Sequence, residues 1–233
     1  MAKLIGITPA GRIEVRDTGN GRVTASATVP APPPGAEPLQ VWVAGDLLLV
    51  GGGRPGTSAY ALSDLRLRWR TPLELSGWSV QPDCGDVICL IGFSGGVRAI
   101  DPATGLQRWI ADRWAGVERI GASLVATTAP FTPIGESGGS TPQVVLDMAT
   151  GRERGSLNPW RVAGRTRPDG SVPVVRQEPA SRRAYFGLLH PDTLAVRGLG
   201  VAERVSGDCV SAADVLICRR GDTEAGVWPF VLS

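Results

Sequence analysis

One stretch of this chain constrains its fold more than any other: Gly96-Val97-Arg98-Ala99-Ile100-Asp101-Pro102-Ala103-Thr104-Gly105-Leu106-Gln107-Arg108-Trp109. A short alternating strand runs into Asp-Pro-Ala-Thr-Gly, and a second strand leaves it carrying Trp109. The aspartate of such a turn accepts hydrogen bonds from backbone amides, and the glycine supplies the positive φ that closes it. Weaker copies recur at Val15–Gly19, at Ala61–Asp64 leading to Arg68-Trp69, at Leu146–Gly151, and at Leu189–Thr193, where His190 takes the place of the aspartate. Aligned on Asp17, Asp64, Asp101, Asp147 and His190, the copies lie 47, 37, 46 and 43 residues apart. A hairpin repeated at roughly 40–45 residues, with about four short strands per period, is the pattern of propeller blades. An α/β chain would place amphipathic helical segments between its strands, and there are none.

The expected fold is therefore all-β, a β-propeller of four-stranded antiparallel blades, with about five to six blades in one domain over residues 1–233. The blades fall near 3–29, 39–75, 78–112, 114–158, 161–202 and 205–233. The chain opens on a second strand (Lys3–Thr8) and stops on a third (Val227–Leu232). Either the two incomplete blades pair to close the ring, or Met1 begins a fragment of a larger propeller. Two segments break the spacing, the proline-rich connector Pro30–Pro38 and the long hairpin loop Thr127–Pro142.

The copy at 96–109 resembles the repeat of the pyrroloquinoline-quinone-type (quinoprotein-like) propellers, with its Ala-x-Asp-x-x-Thr-Gly-x-x-x-Trp motif. The resemblance is strongest there and fair at 58–69 and 143–151. It implies that Asp101 organises its turn and that Trp69 and Trp109 dock between blades, whereas Gly155 holds the matching position of the 147 copy. The family includes quinone-dependent dehydrogenases, an outer-membrane assembly lipoprotein and many non-enzymatic bacterial surface proteins. Its dehydrogenases need a calcium site of Glu, Asn and Asp and an adjacent pair of cysteines. Here no two cysteines are adjacent and the only asparagines are Asn20 and Asn158, so no cofactor is expected.

The four cysteines form two local pairs, Cys84 with Cys89 and Cys209 with Cys218. A two-residue turn centred on Ala213-Asp214 puts Cys209 opposite Cys218 at a non-hydrogen-bonded site, where Cα atoms approach closely enough for a disulfide. The same arithmetic around Asp86-Val87 pairs Cys84 with Cys89. Four cysteines allow three connectivities, and this one is favoured. Zinc is the poorer reading, because the spacings are wrong and no histidine is nearby; buried free thiols in a cytosolic chain are the alternative. Disulfides imply an extracytoplasmic or cell-surface location. The N-terminus has no signal-peptide core, and no apolar run reaches the roughly 18 residues of a membrane span.

Catalytic signals are weak. Gly92-Phe93-Ser94-Gly95-Gly96 and Gly135-Glu136-Ser137-Gly138-Gly139 both match Gly-x-Ser-x-Gly, with Asp147 and His190 downstream. That motif works on a strand–turn–helix, and Gly96 is followed by another strand. His190 is the only histidine and sits in a turn. No catalytic, cofactor or metal residue is assigned, and the chain is read as a non-enzyme.

Charge offers a second clue. The net charge is only +2, but 152–183 holds eight arginines against Glu153, Asp169 and Glu178. Arg161, Arg165 and Arg167 are candidate contacts to a partner, and Phe131 and Ile134 are apolar anchors in the long loop. Trp160 is the only Trp in this basic stretch, which argues against stacking on single-stranded nucleic acid. The reading is a non-catalytic extracytoplasmic scaffold for another protein or a surface ligand. The alternatives are a quinone- or sugar-utilising enzyme with a site in the central channel, and a polyanion-binding module.

Overall fold

The computed structural model describes residues 3–8, 10–30, 35, 38–52, 55–128, 142–212, 214–221 and 223–230. The chain forms two compact units, Met1–Ile110 and Ala111–Ser233. In the first unit, one sheet holds β1 (Lys3–Ile7), β2 (Arg12–Asp17) and β3 (Val23–Thr28). A second holds β4 (Gln40–Ala44), β5 (Leu47–Gly51), β6 (Thr57–Ala61) and β7 (Leu67–Thr71). A third holds β8 (Trp78–Gln81), β9 (Ile88–Gly92), β10 (Val97–Ile100) and β11 (Gln107–Ala111), the last reaching the boundary.

In the second unit, the fourth sheet holds β12 (Gly116–Ile120), β13 (Ser123–Thr127), β14 (Gln143–Asp147) and β15 (Glu153–Ser156). The fifth holds β16 (Arg161–Val162), β17 (Val172–Glu178), β18 (Arg183–Leu189) and β19 (Val196–Glu203). The sixth holds β20 (Cys209–Ala212), β21 (Val215–Arg220) and β22 (Glu224–Pro229). Each sheet is an antiparallel meander of sequential strands, and the only helix among the described residues is the single 3-10 turn Pro179–Ser181. These are propeller blades. Pro30–Pro38 lies largely outside the described residues, and all but the ends of the Thr127–Pro142 loop does so too.

Burial explains why each strand has its composition. β5 and β13 are buried at every position. A strand covered on both faces reads as a continuous apolar run, as Leu47-Leu48-Leu49-Val50 does. The fourth strands β7 and β11 bury a single residue each, Trp69 and Trp109, both 8% exposed. In the first unit, Ile13, Val15, Leu48, Val50 and Tyr60 join the first two sheets, and Leu49, Ala59, Trp69, Leu90 and Ile100 join the second and third. In the second unit, Val125, Val145, Val174 and Leu189 join the fourth and fifth sheets, and Val175, Phe186, Leu216 and Phe230 join the fifth and sixth.

The repeat turn has one geometry in five sheets, and it corrects the alignment made from sequence. The first residue of the turn donates its amide to the sixth residue's carbonyl, and the fifth residue donates back to the first. This holds for Asp17, Ala61, Asp101, Asp147 and His190. The second copy therefore starts at Ala61, not at Asp64, which instead accepts the Arg66 amide at 3.0 Å. The copies now lie 44, 40, 46 and 43 residues apart, and Trp69 and Trp109 both become the ninth residue. Asp64 misled because an aspartate is the usual marker of the turn, while the backbone bonds that define it need no side chain.

The fifth residue adopts positive φ in every copy: Gly21 (69°), Leu65 (55°), Gly105 (74°), Gly151 (69°) and Leu194 (59°). At Leu65, Gly105 and Leu194 its size is matched to the ninth residue of the preceding copy. A Cβ on Gly105 would lie 2.5–2.8 Å from the Trp69 ring, whose Nε1 donates to the Pro102 carbonyl at 2.7 Å. The bulk is reversed at Gly155, where a Cβ would lie 2.7 Å from Leu194 Cδ1. Leu65 likewise is buried in a cluster against which the small Ala25 packs. A left-handed leucine costs roughly 1–2 kcal/mol, and burying its side chain recovers about 1.5–3 kcal/mol.

Asp101 ties its turn further. Its Oδ1 accepts the Ala103 and Thr104 amides at 2.8 and 3.0 Å, and its Oδ2 accepts Arg108 Nε and Nη2 at 2.9 and 2.6 Å. Chiefly the Arg108 hydrogen bond, then the two amides, holds this carboxyl below its ordinary value. A depressed folded-state pKa gives stability that is present above the unfolded value, about 3.9, and lost as pH falls through the folded one. Asp101→Asn should therefore lower Tm at pH 7, with the gap to the native protein closing in acid; thermal melts from pH 7 to pH 2 measure it. Trp69→Ala should cost about 3–5 kcal/mol and Gly105→Ala about 1–3 kcal/mol, and the double variant should be less destabilised than their sum. Additive losses in urea titrations would show that the two residues do not share one contact.

Candidate functional site

Cys209 and Cys218 face each other in the β20–β21 ladder, with Cα atoms 4.0 Å apart, and are joined by a disulfide. The neighbouring Arg219 amide bonds the Asp208 carbonyl, as expected next to a non-hydrogen-bonded pair. Cys84 and Cys89 are also joined, across 5.9 Å between Cα atoms, but not through a two-residue turn. The partner of Cys89 in the ladder is Gln81, so β8 and β9 are connected by residues 82–87 and Cys84 belongs to that loop. The wider loop lets Cys84 fold back and become 3% exposed.

The sequence-predicted arginines have different fates. Arg161 Nη2 donates to Gln177 Oε1 at 3.0 Å, and Gln177 Nε2 donates to the Gly207 carbonyl at 2.6 Å and reaches Cys209 Sγ at 3.6 Å. Arg161 thus braces the fifth sheet against the segment entering the sixth. Arg167 pairs with Asp214 at 2.8 Å and with Asp169 at 3.7 Å, over the Phe230 ring. Arg165 is exposed and acts on Glu118, whose carboxyl is pushed up by burial and partly drawn back by the Arg165 charge. Phe131 and Ile134 lie outside the described residues, as does Ser137. Ser94 lies in the turn between β9 and β10, with a strand following, and His190 is exposed in the fifth sheet's turn.

Sequence reasoning passed over the groups best suited to recognition. Arg98, inside the motif that announces the fold, lays its guanidinium 4.4 Å over the Trp78 ring. In the fifth sheet Arg176 lies between Tyr185 (4.3 Å) and Trp160 (5.6 Å). Trp42 and Trp78 both pack at the edge of the cluster between the second and third sheets. On the turn after β9, Phe93 is 77% exposed, and its amide donates to the Gly77 carbonyl beside Trp78. The one available signal was the placement of Trp42 and Trp78 on first strands, away from the docking position.

Among the described residues no group of three His, Cys, Asp or Glu side chains is placed to hold a metal ion, and no helix is long and apolar enough to cross a membrane.

The sequence matches no protein-family model and no curated protein. Its structure is similar to that of BamB from Moraxella catarrhalis, at 16% identity and a TM-score of 0.54, over 97% of this chain and 66% of that one. It is similar to the C-terminal WD40 domain of Sif2, at 12% identity and 0.53, over 98% and 71%. It also resembles the computationally designed protein Ika8, at 10% identity and 0.52, over 98% and 68%. The chain spans about two thirds of the length of each of these structures. They establish its class as a β-propeller.

Intact mass and peptide mapping after alkylation without reductant should find no free thiol, with 84 linked to 89 and 209 to 218. Four alkylated thiols in protein made under oxidising conditions would contradict both bridges.

Proposed function

We propose that this chain is a non-catalytic propeller that works outside the cytoplasm as a scaffold for binding another protein, and that it is a degenerate member of the quinoprotein-type repeat family. The observation that carries the reading is how the polar groups are used. The carboxylates of Asp17, Asp101, Asp147 and Asp169 are spent on amides and hydroxyls of their own turns. His190 occupies another such turn. The groups turned outward are of the kinds that dominate protein interfaces, aromatic and guanidinium. Two disulfides within first-to-second-strand hairpins suit an oxidising compartment. The Ala99–Trp109 motif and the ninth-residue docking of Trp69 support the family reading.

The basic stretch and the Thr127–Pro142 loop remain the proposed partner contacts, with Phe131, Ile134 and Arg165 as contact residues, while Arg161 and Arg167 orient the surface from within. A photo-crosslinker at position 131 or 165 should capture a discrete protein in the native extracytoplasmic setting, and replacing 129–139 by a short Gly-Ser turn should leave the melting transition intact while abolishing capture from position 165. Salt-sensitive retention on heparin with no crosslinked protein would instead favour a polyanion ligand. A bound quinone chromophore in purified protein would favour the enzyme.

A further inference from the structure

Several arginines of this protein are paired with acids. Arg16 pairs with Glu14, Arg108 with Asp101, Arg167 with Asp214 and Arg183 with Glu203. Arg98 does not. Its guanidinium makes no hydrogen bond or ion pair among the described residues, and its Nε is sealed from solvent without a partner. The terminal nitrogens are not sealed in this way. The group therefore lies over Trp78 with its Nε closed off and no acid paired to it. A stacked guanidinium has lost its rotational freedom in advance, so an incoming planar anion meets a preorganised fork of donors.

The surroundings select the ligand. Arg98 lies in β10, Trp78 in β8, and the exposed Phe93 in the turn that leads into β10. Trp42 and Trp78 line the same inter-sheet cluster from β4 and β8. The third sheet's other arginine, Arg108, is already paired with Asp101. One unpaired cation over an indole, with an exposed phenylalanine on the turn that leads into its strand, fits a single carboxylate with an apolar neighbour, not a run of phosphates or sulfates. We propose that Arg98, with Trp78 and Phe93, forms a binding site for an acidic peptide segment of a partner protein. An Asp or Glu carboxylate docks on the terminal nitrogens of Arg98, and an adjacent Leu, Ile or Phe packs on Phe93. This deepens the scaffold reading and rests on it.

The test uses the 233-residue protein and a displayed library of random 12-residue peptides, with selected peptides synthesised and their affinities measured by fluorescence polarisation. Selected peptides should carry Asp or Glu next to a large apolar residue. Their affinity should fall at least tenfold for Arg98→Met, and comparably when the peptide acid becomes its amide. Arg98→Lys should also weaken binding, since an ammonium cannot present the fork, and Phe93→Ala should weaken it independently. Arg98→Met keeps a stem of similar length over Trp78, so its melting should remain cooperative; Arg98→Lys serves as the second variant should the methionine protein fail to fold. The site is wrong if no peptide is selected, if the peptides lack an acid, or if they bind Arg98→Met unchanged. Peptides indifferent to Arg98 that still displace a crosslinked partner would sink this site and leave the scaffold reading standing. Loss of heparin retention in Arg98→Met with no peptide selected would replace the peptide by a polyanion.

Discussion

The contact between the ninth residue of one repeat and the fifth residue of the next turn is the constraint on which the blade stack depends. An indole and a glycine fill it at Trp69 and Gly105, and the bulk is reversed at Gly155 and Leu194. A bulky side chain on one side is met by glycine on the other, because a void forfeits dispersion contacts and an overlap forces backbone shifts. Degenerate repeats can then stack as well as regular ones. It also accounts for leucines at positive φ, which would otherwise be outliers: the side chain occupies the space that an indole leaves vacant.

With the stack secured in this way, most charged groups near the turns are committed to the fold. Asp101, Asp147 and Asp169 have carboxyls held below their ordinary value chiefly by side-chain hydrogen bonds from Arg108, Thr150 and Ser171. Glu118 departs in the other direction, because its strand carries it into the cluster between the fourth and fifth sheets. Arg161 and Arg167, which read as free surface charges, are engaged within the protein, Arg161 by Gln177 and Arg167 by Asp214 and the Phe230 ring. Arg98 is held over Trp78 without an acid, and Phe93, on the turn leading into the same strand, is exposed.

The fold was largely legible because a repeated hairpin announces itself through turn chemistry and a spacing. The site was not. Arg98 belongs to the most regular copy of the motif, where a residue between two apolar neighbours looks like an ordinary solvent-facing position. That it lies over Trp78, twenty residues earlier and two strands away, follows from the β8–β9–β10 pairing and cannot be counted from spacing. The basic character of 152–183 was visible, but net charge does not reveal which guanidiniums have partners.

From the chain alone come the all-β class, the period, the strand order within a blade and the two cysteine pairs, since each rests on residues close in sequence. Strand pairing and sheet packing were needed to move the second repeat from Asp64 to Ala61, to place Cys84 in a six-residue loop, and to show that Trp69 answers Gly105 while Leu194 answers Gly155. The physical reason is the range of the interactions. Turn bonds and hairpin registers act over a few residues and leave local marks. The matching of volumes and charges between sheets acts over about forty residues, where side chains of different types fill the same space equally well.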